Sequence, residues 1–237
     1  MTPYKRILLK LSGEALLGNK EFGIDVDVLD EIARQVKVLR DNDIELGIVI
    51  GGGNIFRGNE SESLHIDRAT ADYMGMLATI INGLALQNML MSKGIDARVM
   101  SSLSLTQVAE PYILAKAVSH LNKGRVIIFA GGTGLPFFTT DTTAALRAIE
   151  IKADALFKAT KVDAIYSADP KKVKNAKKYT SITYTEFLAK NLKAMDSTAV
   201  SLCRDFKMPI ILFNMTKKNN LVKAVLEGGI GTYIKEG

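Results

Sequence analysis

Short apolar runs recur along the chain at Ile7 to Leu11, Leu46 to Ile50, Ala97 to Met100, Val126 to Ala130, Ala155 to Ala159 and Ile210 to Phe213. They are continuous rather than alternating, and most are separated by stretches of helical apolar spacing, so they read as strands buried on both faces. Such an alternation predicts the α/β class: a three-layer α/β/α sandwich around a mainly parallel central sheet. Helical spacing is plain in Val26 to Leu39, where Leu29, Ile32, Ala33, Val36 and Leu39 share one face. The stretch Ala69 to Met91 is apolar on two faces, with Tyr73, Leu77, Ile80 and Leu84 on one and Met74, Ala78, Ile81, Ala85 and Met89 on the other. A helix of that kind lies at the centre of a core or is covered by another subunit. The strand from Ile210 and the segment Gly231 to Ile234 close the fold.

In an open parallel sheet, ligands bind beyond the carboxyl ends of the strands, so the residues just past each strand carry the chemistry. After the first comes Lys10-Leu11-Ser12-Gly13-Glu14. A lysine in an apolar strand is costly to bury without an anion, which sets a phosphate contact against a snorkelling edge lysine. Gly51-Gly52-Gly53-Asn54 comes after the second, with Arg57 four residues beyond Gly53. Three successive glycines carry a large entropic cost unless backbone must approach something closely, and the arginine could clamp phosphate.

The richest turn is Gly131-Gly132-Thr133-Gly134-Leu135-Pro136-Phe137-Phe138-Thr139-Thr140-Asp141-Thr142, between a strand and the helix-forming Ala144 to Ala148. Glycine N–H groups, threonine hydroxyls and a helix N-terminus together suit an anion. Two adjacent phenylalanines suit the wall of a planar ligand's pocket. The plainer alternative is a tight turn capped by Thr140 or Asp141 with both rings in the core. Neither glycine turn matches a Walker or dinucleotide motif. Asp72 either complements a helix dipole or accepts from sugar hydroxyls. Asp169, before Pro170, could accept from a ribose or orient a metal-bound water, and Asp196 reads as the cap of a helix.

At 237 residues the chain can bury one good core, as a single large domain or two poorly separated lobes. A hydrophobic content of 47% with 24% charged residues speaks against long disorder. Lys and Arg exceed Asp and Glu by 31 to 25, a net charge of +6 that favours anionic partners. Part of the excess is Lys171, Lys172, Lys174, Lys177 and Lys178, a cluster without the aromatic platforms or recognition helix that nucleic acid would require. Cys203 is the only cysteine, so no internal disulfide forms, and His65 and His120 are too far apart to suggest a zinc site. The first residues form neither a signal peptide nor a membrane span, and a cytoplasmic enzyme or binding protein is expected.

The order and spacing of Lys10-Leu11-Ser12-Gly13-Glu14-Ala15, Gly51 to Asn54 with Arg57, Asp72 with Met74-Gly75-Met76-Leu77, Gly132-Thr133-Gly134 through Pro136-Phe137-Phe138-Thr139-Thr140-Asp141, Ala168-Asp169-Pro170 and Phe213-Asn214-Met215 resemble the bacterial uridylate kinase (UMP kinase) family of the amino acid kinase superfamily. The resemblance spans almost the whole chain and implies a single amino acid kinase domain over residues 1–237. It implies transfer of the γ-phosphoryl group of MgATP to UMP, giving UDP and ADP. Lys10, Leu11, Ser12, Gly13, Gly53 and Arg57 would then contact ATP phosphates, with Thr160, Tyr166 and Asp169 around the nucleoside. Gly52, Asp72, Thr133, Gly134, Leu135, Pro136, Phe137, Phe138, Thr139 and Thr140 would hold UMP; Leu135 stands where the family often has asparagine. Lys10 and Asp141 are the catalytic expectation, Lys10 stabilising the transferring group and Asp141 orienting Lys10 or Mg²⁺-bound water. Lys171 is a second cationic candidate. The family is typically a homohexamer activated by GTP and inhibited by UTP, with an activator-sensitive loop corresponding to Gly18, Asn19, Lys20, Glu21, Phe22 and Gly23. Arg98 and Arg125 are candidates for an activator phosphate. A nucleotide sensor without catalysis, or a carbamate or small-acid kinase, would use a similar set of turns.

Overall fold

The computed structural model describes residues 2–57, 65–168, 173 and 175–237. Among these, the strands in chain order are β1 (Arg6–Leu11), β2 (Glu45–Ile50), β3 (Ala97–Ser101), β4 (Glu110–Pro111), β5 (Val126–Ala130), β6 (Ala155–Thr160), β7 (Ser181–Thr183), β8 (Ile210–Asn214) and β9 (Thr232–Lys235). They form one sheet in the order β4-β3-β5-β2-β1-β6-β8-β9-β7. Every ladder between these strands is parallel except β8 with β9. The six apolar runs all lie in strands, and the mainly parallel sheet stands as expected. The two-residue β4 and three-residue β7 at the edges are too short to show a periodicity of their own.

The helices are α1 (Val26–Asp41), α2 (Arg68–Ser92), α3 (Leu114–Asn122), α4 (Thr140–Glu150), α5 (Tyr184–Ala189), α6 (Ser197–Asp205) and α7 (Asn220–Leu226), with a 3₁₀ turn at Gly13–Leu17. They cover both faces of the sheet. Ile7, Leu9 and Leu11 of β1 join α1, α2 and α7 in one core, while Leu8 joins α3, α4, α5 and α6 in the other. The alternation reflects the two-residue period of a strand.

The face of α1 expected to be buried is buried, and each such apolar side chain contributes about 1.5–3 kcal/mol. Along α2, Ala71, Met76, Ala78, Ile80, Leu86 and Leu90 are buried against the sheet, whereas Tyr73, Leu77 and Ile81, one turn apart, are exposed by 42%, 46% and 51%. The open face thus combines Tyr73 and Leu77 of one expected face with Ile81 of the other, while Ile80 of the first and Ala78 of the second are buried. By length and composition α2 could also cross a membrane, but its most apolar stretch is 44% buried against the rest of the fold.

Candidate active site

Strand alternation sends Lys10 to the side of Leu8, the side on which α4 lies. There α4 starts from Thr139, whose hydroxyl accepts from the Thr142 N–H at 3.1 Å. The N-cap is thus one residue before the expected Thr140 and two before Asp141, which leaves Asp141 in the first turn with its carboxylate not used in capping. Lys10 Nζ lies 3.0 Å from Asp141 Oδ1. Lys158, in register with Lys10 on the adjacent β6, donates to Asp141 Oδ2 at 2.5 Å. Side-chain exposures are 11% for Lys10, 9% for Lys158 and 12% for Asp141, so two ammonium groups share one carboxylate almost out of water.

The ionisation is set by that count. Burial pushes the Asp141 carboxyl up, but the Lys10 and Lys158 charges outweigh it and hold it below the usual carboxylate range. Lys158 is held below the ordinary lysine value, first by burial and then by Lys10, with Asp141 offsetting only part. The Lys10 contact with Oδ1 lacks hydrogen-bond geometry, so its N–H donors are not committed to that oxygen. Sequence reasoning missed Lys158, although the signal was the one that singled out Lys10: a lysine inside an apolar strand.

Asp196 does more than cap. Its Oδ1 accepts from the Thr198 N–H at 3.0 Å, as expected of the residue before α6, while Oδ2 accepts from the Thr139 and Thr142 hydroxyls at 2.8 and 2.7 Å. Its own N–H points at Asp141 Oδ2, 3.3 Å away. Burial raises the Asp196 carboxyl, and the threonine hydroxyls bring it below the ordinary range. Met195 to Thr198 is thereby fastened to the start of α4.

The glycine turns meet at the same end of the sheet. A Cβ on Gly13 would stand 2.6 Å from the Gly53 N and 2.7 Å from the Gly51 O, and one on Gly51 would stand 2.8 Å from the Gly13 N. A Cβ on Gly52 would stand 2.6 Å from the Gly75 O of α2. Gly51 and Gly52 therefore answer the chain's own close packing. Only Gly53, with nothing nearer than Glu14 Cγ at 3.7 Å, is open to a ligand. Arg57 folds back so that its Nε donates to the Gly53 O at 3.0 Å, with Glu14 3.5 Å from its guanidinium.

Asp67, not Asp72, caps α2, accepting from the Ala69 and Thr70 N–H groups. This replaces the helix-dipole expectation for Asp72. Asp72 instead accepts from Arg68 at 2.9 Å and from the Phe137 N–H at 2.7 Å. Phe137 has φ of 70°, a conformation a side chain resists, and the carboxylate holds it there. The rings are not in the core: Phe137 is 68% and Phe138 49% exposed.

Between these elements lies a cavity of about 420 Å³, lined among others by Gly52, Gly53, Arg68, Asp72, Gly75, Met76, Gly132, Phe138, Thr139 and Thr140. Thr133, Gly134, Leu135, Pro136 and Phe137 stand beside it without lining it. Gly131 and Gly134 have φ of 73° and 83°, and Thr133 Oγ1 accepts from the Leu135 N–H at 3.2 Å, closing the turn on itself. Thr160 and Tyr166 are not brought into one cavity. Thr160 borders a groove with Glu14, Gly18 and Met215, and Tyr166 borders a recess with Ile165 and Leu192. Asp169 and Lys171 lie outside the described residues.

Of the Gly18 to Gly23 loop, Gly23 is tied to the second glycine turn: its N–H donates to the Asn54 O at 2.9 Å, and its carbonyl accepts from Asn54 Nδ2 at 2.9 Å. Asn54 in turn exchanges amide bonds of 2.9 and 2.7 Å with Asn82 of α2. Arg98 and Arg125 both pair with Asp96. Among the described residues no three His, Cys, Asp or Glu side chains gather as a metal cage. The Asp141 and Asp196 oxygens are taken by ammonium and hydroxyl donors.

Residues 5–214 match the amino acid kinase family. Among solved structures, UMP kinase from Bacillus anthracis is similar over 99% of this chain and 97% of its own, at 43% identity and a TM-score of 0.96. UMP kinase from Ureaplasma parvum is similar over 98% of this chain and 99% of its own, at 36% identity and a TM-score of 0.94. Uridylate kinase from Archaeoglobus fulgidus is similar over 99% of this chain and 100% of its own, at 27% identity and a TM-score of 0.76. The family model covers most of the chain, and this chain belongs to the amino acid kinase family.

Proposed function

We propose that the chain is a UMP kinase that transfers the γ-phosphoryl group of ATP to UMP, giving UDP and ADP. The observation that carries the reading is the Lys10–Asp141–Lys158 cluster, which brings the end of β1 to the start of α4, next to Thr139 and Thr140 of the cavity wall. UMP occupies that cavity, its ribose near Asp72 and its base toward Thr133 to Phe138. ATP lays its phosphates along Lys10 to Gly13, Gly53 and Arg57, with the nucleoside toward the groove that Thr160 borders. Magnesium enters on the ATP phosphates as part of the substrate.

An oxygen of the UMP phosphate forms a bond to the γ-phosphorus as the bond from that phosphorus to the β–γ bridging oxygen breaks, and the electron pair leaves with ADP. The attacking oxygen is already anionic at neutral pH, so no general base is needed; positioning and charge stabilisation carry the reaction. Lys10 and Lys158 stabilise the charge on the transferring group, Asp141 orients both, and the glycine turns donate N–H groups. Activation by GTP through the Gly18 to Gly23 loop, inhibition by UTP, assembly into a hexamer through the open face of α2, and a cytoplasmic setting belong to the same reading. What supports the regulatory part is the bonding of Gly23 to Asn54 at the phosphate turn.

Release of ADP from MgATP in the presence of UMP, CMP, carbamate or aspartate tests the reading. UMP alone is expected to respond. A response to carbamate or aspartate instead would make the protein a small-acid kinase, and nucleotide binding with no ADP in any mixture would make it a sensor.

A further inference from the structure

Arg147, on α4, is buried to 4% exposure, and it does not line the 420 Å³ cavity. A buried guanidinium is costly where its donors go unused; here Nε has no hydrogen-bond partner among the described residues, and the two terminal nitrogens are used specifically. One arm donates to Glu150 at 2.6 Å and the other to the Ser102 hydroxyl at 2.8 Å, while the plane lies 3.7 Å over the ring of Tyr112. Tyr112 donates its own hydroxyl to the same Glu150 carboxylate at 2.5 Å, so the guanidinium has a fixed seat. Ser102, with its oxygen taken by the cation, donates its proton to the Gly132 carbonyl at 2.9 Å. Donation from a cation polarises the hydroxyl and strengthens the bond it makes onward.

The Gly132 carbonyl belongs to a planar trans peptide, so holding it in place also fixes the direction of the next N–H, that of Thr133. Glycine at φ of 58° gives this peptide little preference of its own. We infer that Arg147 is a positioning residue for the acceptor nucleotide: through Ser102 it sets the orientation of the Gly132–Thr133 peptide in the turn that faces UMP. The inference rests on the reading of that turn as the UMP side of the site.

The test is steady-state kinetics on the full-length protein, with UMP and ATP varied separately. Ser102→Ala is the first variant, because it breaks the relay without leaving a buried charge unpaired. Losing one such hydrogen bond is expected to raise the KM for UMP about three- to tenfold, with the KM for ATP and kcat within about twofold of wild type. Arg147→Lys keeps a charge but cannot fork between Glu150 and Ser102, so it should give a similar rise. The double variant should be no worse than either single one, because both break the same chain. An unchanged KM for UMP in Ser102→Ala, equal rises in both KM values, or additive effects in the double variant would each overturn the relay. Wild-type turnover of UMP in the same assay separates the two levels: no turnover removes the UMP reading and the relay with it, whereas normal turnover with unaffected variants removes the relay alone.

Discussion

Lys10 and Lys158 stand side by side on neighbouring strands and close on opposite oxygens of one carboxylate, that of Asp141. The arrangement holds more positive than negative charge in a place with little water, and it becomes balanced when a phosphoryl group enters. The three residues therefore differ in what their loss does. Asp141→Asn leaves two buried ammonium groups without their shared anion, which should cost about 3–5 kcal/mol, on the order of 10 °C in Tm. Lys10→Ala relieves crowding between cations, so Tm should hold while turnover falls by about 10² to 10³. Near-normal turnover in Lys10→Ala would end its assigned role, and so would equal losses of Tm in the two variants.

The pH dependence is set by Lys158. Its folded pKa is lowered, by burial first, so the ammonium form is lost at a lower pH than for a free lysine. The alkaline limb of kcat should therefore fall below the ordinary lysine value of about 10.4, and Lys158→Arg should remove it. Asp141 is depressed, so its ionised form persists as pH falls until the folded pKa is passed, and the stability it contributes is lost progressively from the usual carboxylate range down through that lower pKa. An alkaline limb at or above the ordinary lysine value, or one that persists in Lys158→Arg, would contradict the assignment to Lys158, and stability lost on acidification before the usual carboxylate range is reached would contradict that to Asp141.

The two glycines of the second turn make a matched pair. Gly52→Ala drives a Cβ into the Gly75 carbonyl and should cost about 1–3 kcal/mol. Gly53→Ala meets nothing in the protein nearer than 3.7 Å, so stability should change by less than about 0.5 kcal/mol while the KM for ATP rises. Chemical denaturation read beside ATP kinetics decides it; the reverse pattern would place the phosphates elsewhere.

How much of the site is legible in the sequence depends on whether a residue's partner is near in the chain or is given by periodicity. Lys10 is legible because a charge in an apolar run is anomalous wherever the run packs. Lys158 carries the same anomaly, but attention to the residues beyond a strand's end passes over a residue inside it. Gly51 and Gly52 are legible as glycines under constraint, but the constraint is contact with Gly13 and α2, which no local pattern encodes. The partner of Asp72 is the N–H of Phe137, 65 residues away in the chain, so a position in a helix's first turns points to the wrong cause. The short edge strands β4 and β7 exist by pairing alone.

The Asp72 contact supplies a further prediction. Asp72→Ala removes a charged acceptor from the Phe137 N–H, which should raise the KM for UMP by about tenfold or more. Because Asp72 is not the cap of α2 and its partner Phe137 is exposed, Tm should move little. A large loss of Tm with an unchanged KM would mean that the carboxylate serves the fold and not the acceptor.

The path of one phosphorus atom is the most direct test of phosphoryl transfer to UMP. ATP labelled in the γ-phosphoryl group, incubated with magnesium, UMP and the protein, should yield UDP labelled in its terminal phosphate. Label that remains in ATP, or passes only to water, while both nucleotides are bound, would contradict it.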